Sequence, residues 1–181
     1  MYSLQKSLAP ARSEASDPCL KWYGIRTRSN HEKITAAILE NKGYEQFLPL
    51  YHRNRRWSDR VVKADYPLFP GYVFCRFDSK QRLPIVTTPG VVSIVGFGKE
   101  PAPIPEEEIR GVQAILDSGI RTEPCPFLRE GARVRINQGS LEDVEGILLK
   151  KKNEWRMVVS ITMLQRSLWL EVDREWITAV H

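Results

Sequence analysis

The chain has 181 residues, long enough for one medium domain or two small ones, and 27 Lys and Arg against 22 Asp and Glu give a net charge of +5, a mild lean toward anionic partners. It contains no run of about 18 apolar residues, which excludes a helix that crosses a membrane, and no basic segment followed by an apolar one at the N-terminus, so no secretory leader is expected. Cys19, Cys75 and Cys125 lie far apart without a CxxC pair, which points to reduced thiols in a cytoplasmic protein and to no metal centre.

Residues 1–18 mix Ser, Ala, Pro and charges without periodicity and read as a disordered tail. Leu20 to Thr27 is the first predicted strand, with Trp22, Gly24 and Arg26 on one face. Ser29 and Glu32 stand at capping-box spacing before a helix that runs to about Asn41. Its apolar stripe is Ile34, Ala37, Ile38 and Asn41, and Gly43 stops it. His31, in the first turn, reads as a solvated residue. Glu45 to Tyr51 is a second strand.

The most basic stretch follows, from His52 to Lys63, with Ser58-Asp59 as a turn signal. It reads as a hairpin arm. Arg53, Arg55, Arg56 and Arg60 around Trp57 fit an aromatic-interleaved contact with nucleic acid. The plainer reading is a charged hairpin guarding a sheet edge.

Tyr66 to Phe77 is the most apolar and aromatic run. Pro67 and Pro70 stiffen its entry, Gly71 permits a tight turn, and the residues from Tyr72 onward alternate as a central strand covered on both faces. Val73, Cys75 and Phe77 read as core. Phe69, Tyr72 and Phe74 read either as core or as an aromatic surface for a partner. A short helix or loop interrupted by Pro84 spans Ser79 to Thr88, a fourth strand Val91 to Val95, and a Gly- and Pro-rich connector Gly96 to Pro105. Glu106, Glu107 and Glu108 crowd a helix start, where negative charge suits the macrodipole, rather than forming a catalytic cluster. Ile109, Val112, Ile115 and Leu116 supply that helix's apolar face.

Ser118 to Glu130 has no periodic pattern and reads as a linker. Beyond it, Ala132, Val134 and Ile136 alternate with polar residues, as do Leu168, Leu170 and Val172, with further strands between. Short strands at close spacing predict a small β-barrel, and their period of two argues against a helical fold for this unit. There is no phosphate loop, dinucleotide fingerprint, HExxH or GxSxG. Neither an enzyme nor a cofactor is expected. The residues alone describe a basic two-domain protein that binds macromolecules.

Leu68-Phe69-Pro70-Gly71-Tyr72-Val73-Phe74 resembles the central motif of the NusG family of transcription elongation and antitermination factors. Trp22-Tyr23 resembles the family's first strand, Pro89 to Phe97 the strand after its central helix, and Gly131 to Gly146 its KOW motif. The resemblance implies an α+β fold. An antiparallel four-stranded sheet flanked by helices, the NGN-like domain, would occupy 19–117. A linker would span 118–129, and an SH3-like KOW β-barrel 130–181. It further implies a monomer whose first domain docks on the β′ clamp helices of RNA polymerase and suppresses pausing or termination.

Carried over by position, the docking residues are Phe69, Pro70, Tyr72 and Phe74, with Ile109 and Val112 from the last helix. Arg26 departs from the aromatic of some specialised members, and Gln81 to Leu83 lacks the His-Thr-Thr with which some members meet the β subunit. The basic hairpin would lie near non-template DNA. The barrel would meet a small-subunit ribosomal protein or the termination factor Rho through Met163 and Leu164. The hairpin and the Pro-Leu-Phe-Pro join favour a specialised, operon-serving branch. The alternative is a ribosome- or RNA-binding module that acts through the barrel without polymerase.

Overall fold

The computed structural model describes residues 20–57, 60–127, 131–151 and 154–180. The expected tail, 1–18, and the Ser58-Asp59 turn lie outside the described residues. The first unit runs β1 (Lys21–Thr27), α1 (Glu32–Asn41), β2 (Glu45–Phe47), β3 (Leu50–Trp57), β4 (Arg60–Pro67), β5 (Tyr72–Phe77), α2 (Leu83–Val86), β6 (Val91–Ile94), β7 (Gly96–Phe97), β8 (Glu100–Pro101) and α3 (Glu106–Asp117). Its main sheet has the order β2-β5-β1-β6, and all of its pairings are antiparallel.

The alternation in β5 places it inside that sheet. Val73, Cys75 and Phe77 join Tyr23, Ile25, Ala36, Leu39 and Ile85 in one core. Phe74 turns to the opposite face, among Trp22, Ile104 and the apolar side of α3. Burial pushes the Cys75 thiol up to about 12, so at neutral pH it stays protonated and unreactive.

In the first unit two predicted details differ, and both were decided by contacts distant in sequence. α1 starts at Glu32, and His31 at its N-cap makes no side-chain capping bond. The Glu32 carboxylate instead accepts the Gly71 amide at 2.8 Å, and the Thr35 hydroxyl donates to the Pro89 carbonyl at 3.3 Å. These bonds rotate the helix so that Glu32, Thr35, Ala36 and Leu39 face inward, while Ile34 is 58% exposed. Gly90 allows the approach: a Cβ there would lie 2.4 Å from the Thr35 hydroxyl. The second difference is in the expected strand from Glu45 to Tyr51, which breaks at Leu48-Pro49. β2 stays on β5, and β3 leaves the sheet to pair with β4 from Leu50↔Pro67 to Trp57↔Arg60.

The second unit is a six-stranded antiparallel sheet, ordered β14-β10-β11-β12-β13-β9. Its strands are β9 (Thr122–Pro126), β10 (Ala132–Ile136), β11 (Glu145–Lys151), β12 (Glu154–Ile161), β13 (Arg166–Glu171) and β14 (Ile177–Ala179). The alternating Val134, Ile136, Met157, Ile161, Leu168 and Leu170 are all buried. β9 falls in the segment expected to be a linker. It pairs with β13 through Glu123↔Trp169, and the Thr122 hydroxyl donates to the Trp169 carbonyl at 2.8 Å. Pro124 and Pro126 hid it in the sequence, yet β9 is an edge strand, where proline costs no ladder bond on the open side.

Candidate functional site

α3 packs with both the sheet of the first unit and the second unit. Its Ile109, Val112 and Ile115 share one buried cluster with Trp22, Phe69 and Phe74 of the first unit and with Leu141, Val144 and Leu164 of the second. Phe69 meets Phe74 edge-on at 5.6 Å, and Phe47 stacks on Phe74 at 6.0 Å. Phe69, Phe74, Ile109 and Val112 are each at most 1% exposed. Of the two readings of Phe69 and Phe74, this arrangement places them in the core, in one apolar cluster with α3 and the second unit. Tyr72 is half-buried at its edge and Pro70 is exposed.

The expected apolar turn from Thr162 to Arg166 is also not open. Thr162–Leu164 forms a single 3-10 turn, ended by Gln165 in the left-handed region at φ 49°. Leu164 is 7% exposed and Met163 packs partly into the same cluster. Leu164 sits against Gly24 of β1, where a Cβ would come within 2.8 Å of its methyl and 3.1 Å of a Val95 methyl. The Thr162 amide donates to Glu108 of α3 at 3.1 Å. Met163 and Leu164 thus meet the same buried cluster as Phe69, Phe74, Ile109 and Val112.

Glu108 carries the electrostatics of this contact. Burial raises its pKa and outweighs the lowering by its hydrogen bonds to Thr162; Glu107 adds a smaller rise. A carboxyl whose folded pKa is raised favours the folded arrangement below its unfolded pKa and loses that contribution as pH rises through the folded value. Glu108→Gln keeps an oxygen for the Thr162 amide and removes the charge. It is expected to hold the two units together at least as well as the parent at pH 7, and to abolish any strengthening on acidification. Interdomain crosslinking across pH 5–8 reads this out, and a Gln variant that opens at neutral pH would contradict it.

The basic residues lie elsewhere. Arg53, Arg55, Arg56 and Trp57 stand on β3 and Arg60 on β4, with Arg55 opposite Val62 and Arg56 opposite Val61. Sequence reasoning missed Gly24, Val95, Leu141 and Val144 as parts of the contact. One signal was present: a glycine inside a strand marks a close approach by another element.

The chain is thus an antiparallel α+β unit followed by a strand-rich unit, with an apolar contact between them. The family model described as NusG, transcription termination factor, matches residues 20–113, and the chain belongs to that family. The transcription termination/antitermination protein NusG of Buchnera aphidicola (subsp. Acyrthosiphon pisum, strain APS) is 28% identical over 169 residues, covering 84% of this chain and 92% of that protein. NusG of Thermus thermophilus is 27% identical over 177 residues, covering 85% and 95%. A structure titled "Domain interaction in Thermotoga maritima NusG" superposes with a TM-score of 0.54 at 21% identity, covering 90% of this chain and 98% of that one, which supports the fold. This chain is a NusG-family transcription termination/antitermination factor. Among the described residues no helix is long and apolar enough to cross a membrane.

Proposed function

We propose that this protein binds RNA polymerase at the β′ clamp helices through the face that holds Phe69, Pro70, Tyr72, Phe74, Ile109 and Val112, and that its second unit covers this face until displaced. The observation that carries the reading is Leu164 seated on Gly24 within one apolar cluster shared by both units. A contiguous apolar face, once exposed, marks an interaction site or an aggregation liability, and a cover removes the liability while polymerase is absent. The same closure hides Met163 and Leu164, the residues proposed to meet a small-subunit ribosomal protein or Rho. Opening would expose both surfaces together, allowing one chain to suppress pausing or termination and to couple to translation. A contact with the β subunit, a cytoplasmic location and a specialised, operon-serving role belong to the same proposal.

A reversible lock tests it. Cysteines at Gly24 and Leu164, with Cys19 and Cys125 changed to Ser, are joined by a thiol-bridging reagent; buried Cys75 stays inert. The bridged protein is expected to lose polymerase binding at least about tenfold and to regain it when the bridge is cleaved. Equal binding by both forms would remove the cover from the proposal. Ribosomes without polymerase in the pull-down would replace polymerase as the partner.

The β3–β4 hairpin is proposed to hold non-template DNA. Each phosphate contact contributes about 0.9 to the slope of log affinity against log salt on duplex and about 0.7 on single strands. Arg55→Ala/Arg56→Ala is therefore expected to lower the slope by about 1.5 for elongation-complex binding and to reduce DNA crosslinking. An unchanged slope would leave the hairpin as a charged sheet edge.

A further inference from the structure

Beside the Glu108–Thr162 contact, α3 and the second unit part to leave a cleft of about 990 Å³. Gly111 of α3 and Val144 and Val158 of the second unit give it an apolar floor. Among the described residues its charged lining is mostly acidic: Glu107, Glu108, Glu142, Asp143 and Glu145, against Arg110 and Arg133. Both arginines are already engaged, Arg110 with Glu106 at 2.9 Å and Arg133 with Glu145 at 3.3 Å. Glu145 is also taken by Arg135, whose reach to Asp143 is a looser 3.8 Å. Glu107 and Glu142 make no ion pair among the described residues. The cleft therefore offers apolar contact together with exposed carboxylates, of which Glu107 and Glu142 have no ion-pair partner among the described residues.

We propose that this cleft binds a basic segment of a partner protein, with an aliphatic side chain on the floor and flanking Arg or Lys against Glu107, Glu142 and Asp143. The volume is at the upper end of ordinary ligand sites and exceeds what one side chain fills, which favours a short peptide. Carboxylates lining a cleft suit guanidinium groups, which bind them with two parallel hydrogen bonds. The walls come from both units, so an occupant contacts the closed arrangement in full and an opened one only in part. By linkage it stabilises closure. This last consequence rests on the covered-face reading above; the binding itself does not.

The test uses the full chain and a fluorescent probe peptide, acetyl-Arg-Leu-Leu-Arg-amide, with acetyl-Glu-Leu-Leu-Glu-amide and spermine as comparators. Binding needs no polymerase, so its result is separate from that of the proposed function. The basic peptide is expected to bind saturably, and both comparators at least about tenfold more weakly. Glu107→Gln/Glu142→Gln/Asp143→Asn, all on the surface, should weaken the basic peptide by about tenfold or more. Gly111→Leu should block it by filling the floor, since a Cβ there stands 3.9 Å from Val144 and has room. A thermal melt checks that this variant folds, and the charge variant decides the matter if it does not. No saturation by about 1 mM, or equal affinity for the charge variant, would overturn the site. Spermine binding as tightly as the peptide would reduce it to a trap for small cations.

Discussion

Phe74→Ala is expected to destabilise the first unit by about 3–5 kcal/mol, the range for removing a buried aromatic ring. The ring is 0% exposed, with Phe69 edge-on at 5.6 Å and Phe47 at 6.0 Å, so little can collapse into the space it leaves. Urea unfolding followed by tryptophan fluorescence measures the loss. Tyr72→Ala, at the half-buried margin of the same face, is expected to cost less stability and proportionally more polymerase affinity. A Phe74 variant within about 1 kcal/mol of the parent, yet deficient in polymerase binding, would show that the ring is a surface anchor and that the closed arrangement is rarely occupied.

The second large effect is expected at Leu164. Leu164→Asp removes an apolar anchor worth about 1.5–3 kcal/mol and would bury a carboxylate against Gly24 and Val95 without a partner cation. The second unit should keep its fold, because its strands rest on Ile136, Met157, Ile161, Leu168 and Leu170 instead. Its contact with α3 should fail. Small-angle scattering should then report a larger radius, and polymerase affinity should rise about tenfold for each 1.4 kcal/mol by which closure had competed. An unchanged radius together with unchanged affinity would mean that this turn does not hold the units together. Loss of the second unit's β-type circular dichroism would instead place Leu164 in that unit's own core.

The sequence was sufficient wherever a pattern is local. Alternation from Tyr72 to Phe77 identified β5 and its double burial, and the apolar spacing of Ile109, Val112 and Ile115 identified the buried side of α3. Period-two runs marked the strands of the second unit, because a residue's face in a strand is fixed by parity alone. The motif from Leu68 to Phe74 carried the family. Parity, however, only says that a side chain points to a given face; it does not say what lies there. Phe69 and Phe74 on an aromatic face fit a core and a docking surface equally well.

Tertiary structure decided what local patterns left open. The rotation of α1 follows Glu32 reaching the Gly71 amide, 39 residues away, and no helical periodicity contains that bond. β9 exists because β13 offers it an edge, which outweighs the strand-breaking prolines in its own sequence. The cover over the first unit depends on Leu164 fitting against Gly24, two residues 140 positions apart whose complementary shapes appear only when the chain is folded. The sequence by itself determined most of the elements, the family and the apolar inventory, because those depend on neighbours along the chain. Only the tertiary structure determined which apolar face meets which, because that depends on shape and on desolvated hydrogen bonds between segments that the sequence holds far apart.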